Sequence, residues 1–248
     1  MTGTVTSIWR HPIKSHGRER LEHVTLNAGQ TMPWDRVWAV AHEASKADGA
    51  EWVPCANFSR VSKAPALMAI SATLDEASET LTLSHPNRPD LQFSPDRDVA
   101  AFLDWVRPLM PEDRAASARI IRVPGRGMTD TPFPSVSINS HASLHALSEA
   151  AGEPVSPLRW RGNIWITGAE PWAERDWIGA EIKIGGTRLA IREHVVRCPA
   201  TTANPATGER DLDTLGLLNK NWGHQDFGVY AEVLESGPIA IGDTVELL

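Results

Sequence analysis

The chain has 248 residues, 42% of them hydrophobic and 22% charged, with a formal net charge of -7. That length supports one large core or two small ones, and the acidic balance argues against nucleic acid as the main partner, because phosphate backbones need a basic face. No run approaches the roughly 18 apolar residues of a membrane span. The opening "MTGTVTSIWRHPIKS" lacks a signal peptide's apolar stretch, so the expected compartment is the cytoplasm.

The first residues alternate, with Val5, Ser7 and Trp9 set against Thr4, Thr6, Ile8 and Arg10, which predicts a strand. "HPIKSHG" brackets a turn between its proline and glycine, and "LEHVTLN" predicts a second strand. "DRVWAVAHE", residues 35–43, predicts a third strand, and "PALMAISATLDEASETLTLSHP" predicts a hairpin. In "DVAAFLDWVRPLM" the period changes: Val99, Phe102, Leu103 and Val106 recur at helical spacing until Pro108 disrupts it. "SARIIRV" returns to strand.

The Pro/Gly-dense segment 124–134, "PGRGMTDTPFP", marks the expected seam between a first unit, 1–124, and a second, 125–248. "SVSI" predicts a short strand, and "NSHASLHALSEAAG" a helix that Gly152 stops. Strands follow at "NIWITG" and "AEIKI", then a Gly185-Gly186 turn into "TRLAIREHVV". A short helix around "DLDTLGLLN" and strands at "GVYAEVLES" and "DTVELL" complete the chain. Strands following strands, with few helices, define a mixed α/β but strand-rich class and suit a β-barrel-like core better than a doubly wound sheet.

There are two cysteines, Cys55 and Cys198, with no CxxC spacing, so both are expected as free thiols in a reducing compartment. Cys198 ends an apolar run in "VVRCPATTANPATGE", with Arg197 before it and Pro199 after it. A thiolate is both a nucleophile and a soft-metal ligand, and a proline-broken strand end is where such groups are commonly presented. Cys55, in "WVPCANF", has no comparable polar cluster and reads as a structural cysteine. His141, His145 and Glu149 recur at four-residue spacing, but HASLH lacks the general-base glutamate of HExxH and reads as a solvated stripe. Lys14 and Ser15 of "PIKS", Arg36 of "WDRVW", and Arg159, Arg161 and Asn163 of "RWRGN" are each weak signals alone. Together they suggest an anion site facing a thiol, since arginine forks suit phosphate. The ten tryptophans stand beside one tyrosine and five phenylalanines, which assigns them to the core rather than to a stacking surface.

The order of these pieces is distinctive: "HPIKS", a Gly then "DR.W", "R.NI.I.G", "W.G..I.IG", "RC…TT.NP.TG" and a final "FGVY…G.I..GD.VELL". This order resembles the MOSC-domain family, named after the C-terminal domain of molybdenum-cofactor sulfurase, preceded by its N-terminal β-barrel companion. The branch it looks most like contains the mitochondrial amidoxime-reducing component and bacterial relatives. The resemblance implies binding of the molybdenum cofactor (molybdenum held by molybdopterin), with Cys198 as metal ligand. It also implies cofactor contacts at Lys14, Ser15, Arg36, Arg161 and Asn163; Thr131 and Ser135, on a loosely matching segment, and Arg197, next to the metal ligand, are further expected cofactor-binding residues. Relatives often carry proline between the arginine and asparagine of "RGN", where this chain has Gly162. The implied activity is reduction of N-hydroxylated compounds, such as amidoximes and N-hydroxylated base analogues, to amines. No four-cysteine cluster for an iron–sulfur domain is present, so electrons are expected from a separate ferredoxin-, flavin- or haem-type protein. The rival expectation is a non-catalytic molybdenum-cofactor-binding protein, or a sulfur carrier with a persulfide on Cys198.

Overall fold

The computed structural model describes residues 2–248, in which strands outnumber helices fifteen to three. The first strand, β1 (Thr2–Arg10), is followed by β2 (Glu19–Leu21), β3 (His23–Leu26) and β4 (Trp38–His42). Next come β5 (Ser71–Asp75), β6 (Thr80–His85), β7 (Arg88–Phe93), α1 (Val99–Val106) and β8 (Ser117–Arg122). The second half holds β9 (Val136–Ser140), α2 (His141–Ala151), β10 (Ile164–Thr167), β11 (Glu181–Ile184) and β12 (Thr187–Val196). It closes with α3 (Thr214–Trp222), β13 (Asp226–Glu235), β14 (Gly237–Ala240) and β15 (Thr244–Leu247).

Seven strands close into a barrel in the order β10-β9-β13-β12-β11-β15-β1, and the antiparallel β1–β10 pairing joins its ends. Closure removes the unpaired edges that an open sheet would expose. The inward side chains include Val5, Ile8, Ile138, Ile164, Ile166, Ile182, Leu189, Ile191, Val229 and Val245, all buried. Simple alternation along β1 puts Val5 and Ile8 on opposite faces. A register shift between Val5 and Ser7 leaves Thr6 as the extra residue, so both aliphatic side chains enter the core.

Because β1 pairs with β10 and β15, and β3 with β14, these first strands belong in space with the second half, while the turn between β1 and β2 packs on the first-half core through Ile13. The 124/125 division therefore follows the chain rather than the sheets. The rest of the first half pairs β4 with β8 and forms the sheet β5-β6-β7. Its core gathers Trp38, Leu67, Met68, Leu81, Leu83, Phe93, Phe102 and Trp105. The expected hairpin is thus a three-stranded sheet. Its edge strand β7 carries Pro89 and little alternation, which hid it from the sequence pattern.

A further apolar layer outside the barrel joins Leu144 and Leu147 of α2 to Trp160, Trp165 and Phe227. α2 begins where the Ser140 hydroxyl accepts from the Ala142 N–H at 3.2 Å and ends at Gly152 with φ +75°. As read from the sequence, Trp38, Trp160 and Trp165 are fully buried core residues. No helix among the described residues is long and apolar enough to cross a membrane.

Candidate functional site

The residues singled out by sequence converge where the barrel meets the first-half core. Cys198 follows the end of β12 and caps a single 3-10 turn, Pro199–Thr202; its thiol is exposed. Behind that turn Ala203 is fully buried in the first-half core, so the loop is anchored at its rear while the sulfur faces outward. Arg210 staples the loop from the side, donating to the Pro199 carbonyl and, at 2.9 Å, to the Ser62 carbonyl.

The sulfur opens into a cavity of about 150 Å³. Lys14, Ser15, Arg36 and Arg161 line it together with Arg197, Cys198 and Thr201. A small adjoining recess is lined by Thr129, Ser135 and Asn163, and shares Arg36, Asp130, Ser137 and Tyr230 with the main cavity. Thr131 lines neither space. Its hydroxyl donates to the Phe133 carbonyl at 2.7 Å and lies 2.7 Å from Ser135 Oγ, so it supports the recess from behind.

Three of the cavity residues share an unusual backbone. Ser15 (φ +66°), Arg36 (φ +53°) and Arg161 (φ +48°) are half of the six non-glycine residues with positive φ among the described residues. Glycine is the ordinary occupant of that region, and a side chain there costs of order 1–3 kcal/mol. Backbone bonds hold the conformation: Arg36 N–H donates to the His11 carbonyl at 2.7 Å, and its own carbonyl accepts from Met128 N–H at 2.7 Å. Arg161 ends the 3-10 turn Pro157–Trp160.

Electrostatics follow from crowding. Lys14, Arg36, Arg60, Arg159, Arg161 and Arg197 line the cavity against one carboxylate, Asp130, although the whole chain is acidic. Lys14 Nζ reaches Asp130 at 2.5 Å and the Met128 carbonyl at 2.7 Å. Burial alone would raise the Asp130 carboxyl, but Lys14, Arg36 and Arg161 hold it below its usual range. Burial, then Arg36 and Arg18, pull the Arg161 guanidinium down to about 9; it stays charged at neutral pH but is poorly compensated. Arg161 donates from Nη2 to the Gly17 carbonyl at 3.1 Å, while its buried Nη1 has no protein partner. The Thr129 hydroxyl and Arg159 Nε are likewise buried and unpartnered. An unmade hydrogen bond at a buried polar atom costs about 1–3 kcal/mol, so this wall is built for something anionic.

Arg197 and Asn163 are occupied differently. Arg197 donates to the carbonyls of Phe227 and Trp160 and to Asn139 Oδ1 at 2.8, 2.7 and 2.8 Å, and lies over the stacked Trp160–Phe227 pair. With its fork spent on the protein, it fixes the start of the Cys198 loop. Asn163 accepts from Ser137 N–H at 3.1 Å and donates to the Trp9 carbonyl at 3.1 Å, tying β9 and β1 beside the recess. Gly162 has its own reason: a Cβ there would lie 1.8 Å from Asn139 Nδ2, the amide that holds Arg197. The space that a side chain at position 162 would need is filled by Asn139.

Sequence reasoning missed several wall residues. Cys55, expected to be structural, lines the same cavity as Cys198 and accepts from Arg60 Nη1 at 3.1 Å. Arg60, Asp130, Ser137 and Tyr230 are the others. Asp130, Ser137 and Tyr230 lie in "PGRGMTDTPFP", "SVSI" and "FGVY", where the sequence alone carries no site signal for them, and Arg60 lies in no motif at all. The His145–Glu149 pair is exposed at 3.6 Å, as expected of a solvated stripe, whereas His141 packs against Trp165.

Among the described residues no group of three or more His, Cys, Asp or Glu could hold a metal ion. A metal at Cys198 must therefore arrive with ligands of its own, the protein adding one thiolate. An anionic carrier suits the unpartnered cationic wall, and a soft metal suits the exposed sulfur. The chemistry of these residues fits the molybdenum cofactor that the sequence resemblance implies.

Fold and site together define a β-barrel protein with one exposed cysteine on a cavity lined mainly by cations. Comparison with known proteins agrees. The family model described as MOSC domain matches residues 129–246, and MOSC N-terminal beta barrel domain matches residues 2–107. The chain belongs to the MOSC-domain family, a family associated with the molybdenum cofactor. It is 25% identical to mitochondrial amidoxime-reducing component 1 of Mus musculus over 293 positions, covering 99% of this chain and 82% of that one. Against the Xenopus laevis protein of the same name it is 33% identical over 118 residues, 43% of this chain and 34% of that one. The YuaD protein from Bacillus subtilis aligns over 100% of this chain and 96% of that one, with TM-score 0.49 and 13% identity.

Proposed function

We propose that this protein is a molybdenum-cofactor-dependent oxidoreductase that reduces N-hydroxylated compounds, such as amidoximes, to the corresponding amines or amidines. The observation that carries the reading is the exposed Cys198 thiol at the mouth of a cavity whose cations have unspent donors. The relatives named as amidoxime-reducing components supply the substrate class.

When bound, the cofactor supplies the two-electron redox chemistry, in which an amidoxime, two electrons and two protons give an amidine and water. The chain's own residues bind and orient. Cys198 offers one sulfur from a loop braced by Ala203 and Arg210. Arg36 and Arg161 neutralise the phosphate end, and Ser15 and the Thr129 hydroxyl offer polar contacts nearby. Burial pushes the Tyr230 phenol above its ordinary range, so it remains a neutral donor at the recess. Electrons come from a separate carrier protein.

The test uses protein expressed in a host that makes molybdenum cofactor, reduced chemically and given benzamidoxime. Conversion to benzamidine by the wild type, lost in Cys198→Ala at an unchanged melting temperature, is the expected result. Bound molybdenum without turnover points instead to a carrier of the cofactor. Sulfane sulfur on Cys198 without molybdenum points to a sulfur carrier.

A further inference from the structure

Most cations around the cavity are already committed. Lys14 is paired with Asp130, Arg36 with Asp35 and Arg159 with Asp211, while Arg197 is held by two carbonyls and Asn139. Arg161 sits on the wall assigned above to the cofactor's phosphate. Arg60 differs from all of them. No carboxylate among the described residues lies within ion-pairing distance of it, and its one side-chain hydrogen bond is to the Cys55 sulfur at 3.1 Å. A thiol is a weak acceptor, and a guanidinium carries five N–H donors in a flat fork. Its unpartnered Nε and Nη2 are not sealed from solvent, so those donors face whatever enters.

Its position is fixed relative to the reactive sulfur. Arg210 donates to the carbonyl of Ser62, two residues after Arg60, and to that of Pro199, the residue after Cys198. One guanidinium thus clamps the Arg60 segment to the Cys198 turn, and both segments line the same cavity. Arg60 comes from the first half of the chain and Cys198 from the barrel loop, so residues from both halves line the one cavity.

We propose that Arg60 is a specificity-determining residue that receives an oxyanion substituent, carboxylate or phosphate, of the N-hydroxylated substrate. The inference rests on the reductase reading. It adds that preferred substrates carry a negative group beside the reducible N–OH, with Cys55 holding the guanidinium fork in place until they arrive. Binding exchanges a weak thiol acceptor for a charge-assisted, two-pronged contact.

The experiment compares uncharged benzamidoxime with 4-carboxybenzamidoxime and 4-phosphonobenzamidoxime in the wild type, Arg60→Ala, Arg60→Lys and Arg60→Glu. Molybdenum content and melting temperature are measured in each. Losing a charge-assisted contact is worth about 1.5–3 kcal/mol, so the kcat/KM ratio of anionic to neutral substrate should fall roughly 10- to 100-fold in Arg60→Ala. Arg60→Lys should restore part of it, and Arg60→Glu should favour cationic 4-(aminomethyl)benzamidoxime. The anion with the larger loss identifies the preferred oxyanion. An unchanged ratio overturns the proposal. So does loss of molybdenum from Arg60→Ala, which would place Arg60 on the cofactor. If no variant turns over any amidoxime, the reductase reading fails by itself. Calorimetric titration of the oxidised protein with 4-carboxybenzamidoxime then decides the role of Arg60: binding weakened at least about tenfold in Arg60→Ala supports it, and equal binding removes it.

Discussion

Arg36 donates from Nη2 to the main-chain carbonyl of Arg161 at 2.9 Å, which locks two cations with left-handed backbones side by side. Like charges at this separation repel; the nearby acids, Asp35 first, more than offset this at Arg36, whereas burial and its cationic neighbours leave Arg161 under-compensated. An anion bound beside Arg161 would relieve what remains.

Replacing Arg161 with alanine is therefore expected to have opposite effects on ligand and fold. Cofactor retention through gel filtration should weaken by about 1.5–3 kcal/mol, the worth of a hydrogen bond to a charged group. The melting temperature of ligand-free protein should not drop, because a buried unpartnered Nη1 is removed. Molybdenum content and a thermal melt on the same sample check both halves.

Ser15 gives a cleaner view of backbone strain. Its φ is +66°, and no protein acceptor or donor meets its hydroxyl among the described contacts. Ser15→Gly should stabilise the ligand-free protein by up to about 1 kcal/mol, the left-handed penalty less the entropy glycine loses on folding. For a chain of this size that is a rise of roughly 2–4 °C, accompanied by weaker cofactor retention.

The departure at Gly162 is expected to be unforgiving. Gly162→Ala forces Asn139 aside and, with it, the bond to Arg197, at a cost of about 1–3 kcal/mol for overpacking. Because both positions act through one contact, Gly162→Ala with Asn139→Ala should be less destabilised than the sum of the single variants. Urea unfolding of the four proteins measures that coupling.

These glycine and arginine contacts also show what the chain's order of residues could and could not convey. Lys14, Ser15, Arg36, Arg161 and Cys198 were legible because each stands in a short motif that resembles a family pattern, and all five line the cavity. Arg60 and Cys55 were not, since no local pattern announces that the Arg60 segment is clamped to a loop nearly 150 residues away by Arg210. Helices α1 and α2 and most strands followed from apolar period and turn residues. The inward placement of both Val5 and Ile8 did not, because a bulge reverses parity without leaving a mark in composition. Nor did the place of β1 in the second-half barrel, which is a long-range pairing that local propensity cannot encode.

Acid should destabilise the fold through two buried imidazoles. Burial, then Arg161 and Arg36, lowers His11 to about 3, and its contact with Asp35 is a hydrogen bond from a neutral ring. Burial lowers His16 to about 4. Unfolded imidazoles take protons near 6.5, so between about pH 6.5 and 4 the unfolded state binds more protons and stability falls as pH falls. Each histidine contributes at most about 1.4 kcal/mol per pH unit. Glu174, whose carboxyl burial raises, acts in the opposite sense. The histidine part is isolated by His16→Gln, which should flatten the dependence of unfolding free energy on pH between 6 and 5.

The most direct test of the central claim is X-ray absorption at the molybdenum edge on wild type and Cys198→Ser, both loaded in a host that makes the cofactor. The expected result is a molybdenum-containing wild type whose metal shell loses one sulfur neighbour in the variant, while the rest of the shell is kept. An identical sulfur count in the two proteins, or wild type that carries no molybdenum, would contradict ligation by Cys198.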